Sequence, residues 1–150
     1  MSNITIAIAT KSDLPTLNRL YADMDEKPLM SEKQITAIWE RIQQVPDYFI
    51  YLAYLEDIAI GTFSLLFMPT MMHPGFHKSA ILDSVTIATI YRGKGFGKQM
   101  MQKALKISAE AGCYKVTLSS NLKRDATHKF YKSLGFKQHG WSFSYSIAEI

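Results

Sequence analysis

The chain has 150 residues, 47% hydrophobic and 20% charged, with Cys113 its one cysteine. This is the usage of a single globular domain, residues 1–150, large enough to bury its own core; a disulfide scaffold, a cysteine-rich zinc module and a disordered chain are excluded. No apolar run approaches the ~18 residues of a membrane span, and the N-terminus lacks the basic-then-apolar pattern of a secretory leader, so a cytoplasmic protein is expected.

The net charge of +4 conceals an asymmetry. Residues 1–88 carry six Lys/Arg against ten Asp/Glu, and residues 89–150 carry eleven against three. A basic half fits a polyanionic ligand; it also fits two solvated faces of opposite sign.

In chain order, Ile4, Ile6 and Ile8 alternate as in a half-buried strand. Ser12 offers a helix cap before Leu14, Leu17, Tyr21 and Met24 at helical spacing. Ser31-Glu32-Lys33-Gln34 is a capping box, opening a helix whose apolar stripe is Ile35, Ile38, Trp39, Ile42 and Val45. From Tyr48 to Leu55 every residue is apolar or aromatic, as in a strand buried on both faces, and Glu56-Asp57 turns it into a partner strand, Ile58 to Met68. A loop covers Pro69 to Gly75, and a strand Ala80 to Ala88. A long helix runs from Phe96 to Ala111 and is capped by Gly112; Val116 and Leu118 mark a short strand. A short helix covers Asp125 to Ser133, and Trp141, Phe143, Tyr145 and Ile147 alternate with serines in a closing strand. The order β-α-α-β-β-β-α-β-α-β-β describes a mixed α/β sheet of six to seven strands with helices on both faces.

Between the Ala80 strand and the long helix lies Tyr91-Arg92-Gly93-Lys94-Gly95-Phe96-Gly97-Lys98. Its glycines let successive N–H groups converge at a helix N-terminus, and Arg92, Lys94 and Lys98 add positive charge, so a phosphate or pyrophosphate is the expected guest. The spacing is neither that of a P-loop nor that of a dinucleotide fingerprint.

Arg92-x-x-Gly95-x-Gly97, set after a strand and opening a helix, resembles the pyrophosphate motif of the GNAT superfamily of acetyl-CoA-dependent N-acetyltransferases. A second motif, Asn121-x-x-Arg124-Asp125-Ala126-Thr127-His128-Lys129-Phe130-Tyr131-x-x-Leu134-Gly135-Phe136, is also similar to that family, and the likeness covers nearly the whole chain. It implies the GNAT fold and a β-bulge before the glycine turn. Backbone groups of Val85, Thr86 and Ile87 would then hold the pantetheine arm of acetyl-CoA, and one N–H would face the thioester carbonyl. Arg92, Gly93, Lys94, Gly95, Phe96, Gly97 and Lys98 would hold the pyrophosphate, with Asn121 and Arg124 as further CoA contacts. Tyr131 would touch the cofactor and protonate its departing thiolate, and Asp83 would act as general base, directly or through water.

The Asn121, Lys123, Arg124 and His128 pattern resembles aminoalkylphosphonate acetyltransferases, although Thr127 separates Ala126 from His128 where that subgroup has them adjacent. The implied acceptor is the primary amine of a small molecule, acetylated by direct attack in a ternary complex with acetyl-CoA as co-substrate. Protein N-termini, lysines and a non-catalytic acyl-CoA sensor stay open as alternatives, as does a homodimer through the Trp141–Ile147 strand. No RNP-type or KH-type segment accompanies the basic half, so neither nucleic acid nor membrane is the expected partner. No metal site is expected: in His73-Pro-Gly-Phe-His77 the Pro-Gly pair prevents the helix that would align both rings.

Overall fold

The computed structural model describes residues 2–72 and 74–148, in two compact units that divide between Leu118 and Ser119. The first unit holds β1 (Thr5–Ile8), α1 (Leu14–Asp25), α2 (Glu32–Gln43), β2 (Tyr48–Leu55), β3 (Ile58–Pro69), β4 (Lys78–Ile87), α3 (Phe96–Glu110) and β5 (Val116–Thr117). The second holds α4 (Asp125–Ser133). The sheet order is β1-β2-β3-β4-β5, antiparallel up to β4 and parallel between β4 and β5.

Alternation along β2 assigns the two faces. Ile50 and Leu52 join Leu14, Leu17, Leu20, Ile35 and Trp39 in the core beneath α1 and α2. Tyr51 and Ala53 point the other way: Tyr51 stacks on Phe63 with ring centroids 4.9 Å apart, and Gly61, paired with Ala53, lies against Met100 of α3. Helices therefore cover both faces of a mixed sheet, as the element pattern implied.

The capping box of α2 forms as read: the Gln34 N–H donates to Ser31 Oγ at 3.1 Å, and the Ser31 N–H donates to Gln34 Oε1 at 2.9 Å. The start of α1 differs. Ser12 is not its cap; the Thr10 N–H donates to Asp13 Oδ2 at 2.8 Å across a 3-10 turn, and α1 begins at Leu14 with Pro15 in its first turn, where a missing N–H costs nothing. The helix then runs to Asp25, so Asp23 and Asp25 are helical. The α1–α2 connection is pinned by the Asn18 amide, bonded to both N–H and C=O of Met30. At the far end of α3, the Gly112 N–H bonds Ala109 C=O and the Cys113 N–H bonds Ser108 C=O, with Gly112 at φ 83, the Schellman ending that glycine permits.

Three expectations are corrected. The described residues form five strands, not six or seven, and Trp141 to Ile147 makes no strand: its four large apolar side chains are 79–91% exposed. Alternation specifies a strand only where a sheet edge takes up its backbone groups, and this segment finds none within the described chain. Ile8, Ile38 and Val45, read as inward-facing, are exposed as well.

Candidate active site

The site begins at a fault in the β3–β4 ladder. Thr62 and Ser64 face Thr86 and Asp83, so Ser84 and Val85 together stand opposite Phe63. This is a β-bulge, and Ser84 absorbs it at φ 50, a left-handed conformation uncommon outside glycine. Past the bulge, the Ala88 N–H donates to Ile60 C=O at 2.8 Å. Ala88 and Ile60 are therefore a hydrogen-bonded pair. Ile87, opposite Gly61, is a non-bonded one and turns its N–H and C=O away from β3. By the same alternation Thr86 turns its backbone groups toward Thr62. On the outer side β4 pairs with β5 only at Ala80–Val116 and Ile81–Thr117. Among the described residues, the stretch 82–87 thus has no parallel partner, and its outer edge, carrying the Ile87 amide, is open.

That edge leads through a 3-10 turn, Thr89–Tyr91, into the glycine segment. Gly93 and Gly95 have φ of 74 and 85, which a side chain would strain, and Gly95 opens α3. The first helical bond is Gln99 N–H to Gly95 C=O, and no side chain caps the helix. The N–H groups of Phe96, Gly97 and Lys98 therefore lack intrahelical acceptors at the positive end of a 15-residue helix. Phe96 is buried and anchors the turn with its ring against Tyr91, while the Lys94 ammonium lies 5.8 Å from the Tyr91 ring centre. Exposed Lys94 and Lys98 leave this end open to an anion.

Arg92 does not simply project into solvent. Its Nε donates to Ile87 C=O at 2.8 Å, on the open edge, and its Nη2 lies 3.7 Å from Asp23 Oδ2. Asp23 also accepts the Thr89 N–H and hydroxyl, each at 3.0 Å.

Asp83 stands opposite Ser64, on the sheet face that α1 covers, and is exposed. One carboxylate oxygen accepts the Ser84 N–H at 2.7 Å across the bulge, and its backbone carbonyl accepts the Ser64 hydroxyl. On the same face burial pushes the Tyr21 phenol up to about 12, against a hydrogen bond with Thr62 and with smaller contributions from Tyr48 and Asp83. The first unit thus brings together Asp83, Val85, Thr86, Ile87 and the Arg92–Lys98 turn.

The remaining candidates lie in the second unit. Asn121 shapes the approach to α4: its side chain accepts the Lys123 N–H, and its carbonyl lies 2.8 Å from His128 Nε2. Arg124 is the exposed N-cap of α4. Tyr131 is half-buried, with its ring against Phe130 and Phe136. Elsewhere, burial raises the Cys113 thiol pKa, which disfavours the thiolate a nucleophile would need. No cluster of three metal-ligating side chains occurs among the described residues, and His73 lies outside them.

The fold is that of known acetyltransferases. A solved chain from Agrobacterium tumefaciens str. C58, 26% identical, superposes with a TM-score of 0.87 over 95% of this chain and 99% of that one. In sequence, the glucosamine 6-phosphate N-acetyltransferase of Trypanosoma brucei brucei is 29% identical over 91% of both chains. The uncharacterized N-acetyltransferase YhdJ of Bacillus subtilis (strain 168) is 32% identical over 82% of this chain and 86% of its own. The model of the acetyltransferase (GNAT) family matches residues 14–136, and the chain belongs to that family. It is an enzyme, an N-acetyltransferase.

Proposed function

We propose that the protein transfers the acetyl group of acetyl-CoA to the primary amine of a small molecule, in the cytoplasm, with both units acting as one catalytic domain. The observation that carries the reading is the open β4 edge running into a glycine turn at an uncapped helix N-terminus. The N–H groups of residues 96–98, with Arg92, Lys94 and Lys98 around them, suit a pyrophosphate, and the outward N–H of Ile87 suits a carbonyl of a pantetheine arm. The basic half of the chain then has a cause in the phosphates of CoA.

The chemistry follows from two proton problems. An alkylammonium of pKa ~10.4 is neutral in about one molecule in 10³ at pH 7, so Asp83, or a water it holds, removes its proton. The amine attacks the thioester carbonyl, whose oxyanion is met by an N–H of the Val85–Ile87 segment. The C–S bond breaks, and Tyr131 gives its phenolic proton to the thiolate; a free thiol near 8.5 and a phenol near 10 make that transfer reasonable. The second proton of the attacking nitrogen passes through solvent to the Tyr131 phenolate, and Asp83 returns its own to solvent, leaving amide, CoA thiol and the starting enzyme. Asn121 and Arg124 would be further contacts of the cofactor.

The acceptor class is narrowed by a shared feature. The Trypanosoma relative is named for a phosphorylated amino sugar, and the Asn121–His128 pattern resembles enzymes of aminoalkylphosphonates. Both acceptors are small primary amines bearing an anionic phosphorus group, and we assign that class here. The exposed alternating segment Trp141–Ile147 supports a homodimer formed through it, which sedimentation at micromolar concentration would detect.

The test of the donor is a thermal melt with and without acetyl-CoA, on the wild type and on Gly95→Trp. Ligand at about 100 times its Kd adds ~2.7 kcal/mol, or about 5–10 °C for a domain of this size. A shift present in the wild type and lost in a folded Gly95→Trp supports the glycine turn as the cofactor site. No shift at saturating acetyl-CoA overturns the reading.

A further inference from the structure

Asp23 sits where helix electrostatics disfavour it. It lies in the last turn of α1, where the carbonyl end of the helix is already negative, and no basic residue shares that turn. Its carboxylate is instead engaged 66 residues away, accepting the Thr89 N–H and hydroxyl and facing the Arg92 guanidinium. The 3-10 turn Thr89–Tyr91 has no side-chain cap within its own segment, so Asp23 caps it from another element. Arg92 closes the same turn: its N–H bonds Thr89 C=O at 3.3 Å, and its Nε bonds Ile87 C=O.

We infer that Asp23 is a positioning residue for the acyl-CoA site, acting through Thr89 and Arg92. The segment it holds, residues 88–92, joins the open β4 edge to the glycine turn. Those are the two halves of the surface that must meet pantetheine and pyrophosphate at once. Fixed beforehand, they bind without first being ordered; released, they charge the ordering against affinity. The inference rests on the acetyl-CoA reading above, and it extends that reading from the turn itself to a carboxylate on α1.

The sign of one substitution separates this role from simple electrostatics. Removing a carboxylate beside a polyanionic ligand, by charge alone, tightens binding. Loss of positioning weakens it. The experiment is calorimetric titration with CoA of the wild type, Asp23→Asn, Thr89→Val and Thr89→Ser, with melts confirming that each is folded, and initial rates at saturating acceptor.

Asp23→Asn is expected to raise the CoA Kd about tenfold, the effect of losing bonds to a charged group. Thr89→Val should raise it about threefold, and Thr89→Ser, which keeps the hydroxyl, should stay within about twofold of wild type. At saturating acetyl-CoA, kcat should hold within about twofold, so that the loss falls on the acetyl-CoA KM. Unchanged or tighter CoA binding by folded Asp23→Asn overturns the inference, as does a loss confined to kcat or to the acceptor KM. Should Asp23→Asn fail to fold, Thr89→Val decides by the same criterion. A wild type that binds no CoA removes the donor reading and this inference together; one that binds while the variants match it removes this inference alone.

Discussion

Gly61 on β3 tests how tightly the sheet is closed behind the open edge of β4. A Cβ added there would lie 2.7 Å from Ile87 Cδ1, 2.8 Å from the Thr86 carbonyl oxygen and 3.1 Å from Met100 Sδ. The Ile87 methyl and the Met100 sulfur can rotate away. The Thr86 oxygen is backbone, so β4 itself must retreat by roughly 0.5 Å to restore ordinary contact. Overpacking of this kind costs about 1–3 kcal/mol, and at about 2–4 °C per kcal/mol Gly61→Ala should melt about 2–12 °C below wild type. Because a retreat of β4 at Thr86 carries with it Ile87, on the edge proposed for pantetheine, the stabilisation by saturating acetyl-CoA should shrink as well. Melts with and without ligand measure both effects, with Gly140→Ala as a control, since nothing lies within 4 Å of its added carbon. A Gly61→Ala protein melting within a degree of wild type would refute the close approach of β3 and β4 at this point.

Three further outcomes are expected. Tyr131→Phe should lower kcat by about 10²-fold or more while leaving the CoA Kd nearly unchanged, as steady-state rates and calorimetry together would measure; an unaltered kcat would remove the acid role. Tyr21 should make the fold sensitive to alkali. Its phenol is held to about 12 in the folded chain against an ordinary 10, so its stabilisation is intact below pH 10 and falls away between pH 10 and 12, by on the order of 2–3 kcal/mol. Urea midpoints across pH 9.5–11.5 should decline less steeply in Tyr21→Phe. Ser31→Ala, which removes the capping box of α2, should cost about 1 kcal/mol and be visible as a Tm lower by about 2–4 °C.

Where local chemistry alone decides the structure, it was legible. The Ser31–Gln34 box, the β2–β3 hairpin about Glu56-Asp57, the Gly112 helix ending and the Arg92–Gly97 turn all follow from residue types at short spacing, and all formed as read. What escaped depends on partners distant in the chain. No local pattern ties Asp23 to Thr89 and Arg92; the bond exists because α1 crosses β4, which only the tertiary fold specifies. The bulge in β4 was expected from the family resemblance alone, and Ser84 as its left-handed residue was not, since a bulge is a mismatch between two strands and leaves no mark on either one. Trp141 to Ile147 failed in the opposite direction. Its period is strand-like, but a strand is a relation to a neighbour, and the sequence names no neighbour.

The most direct measurement is mass-spectrometric product detection after incubation with acetyl-CoA and a matched panel: glucosamine 6-phosphate, glucosamine, an aminoalkylphosphonate, a lysine peptide and a free N-terminal peptide. The account expects a product 42 Da heavier, on the order of one acetyl group, from the phosphorus-bearing amines, with one equivalent of CoA thiol released and little from glucosamine or the peptides. Acetylation of the peptides alone would contradict the assigned acceptor class. No acetylated product from any amine, by a protein that nevertheless binds acetyl-CoA, would contradict the proposed reaction itself.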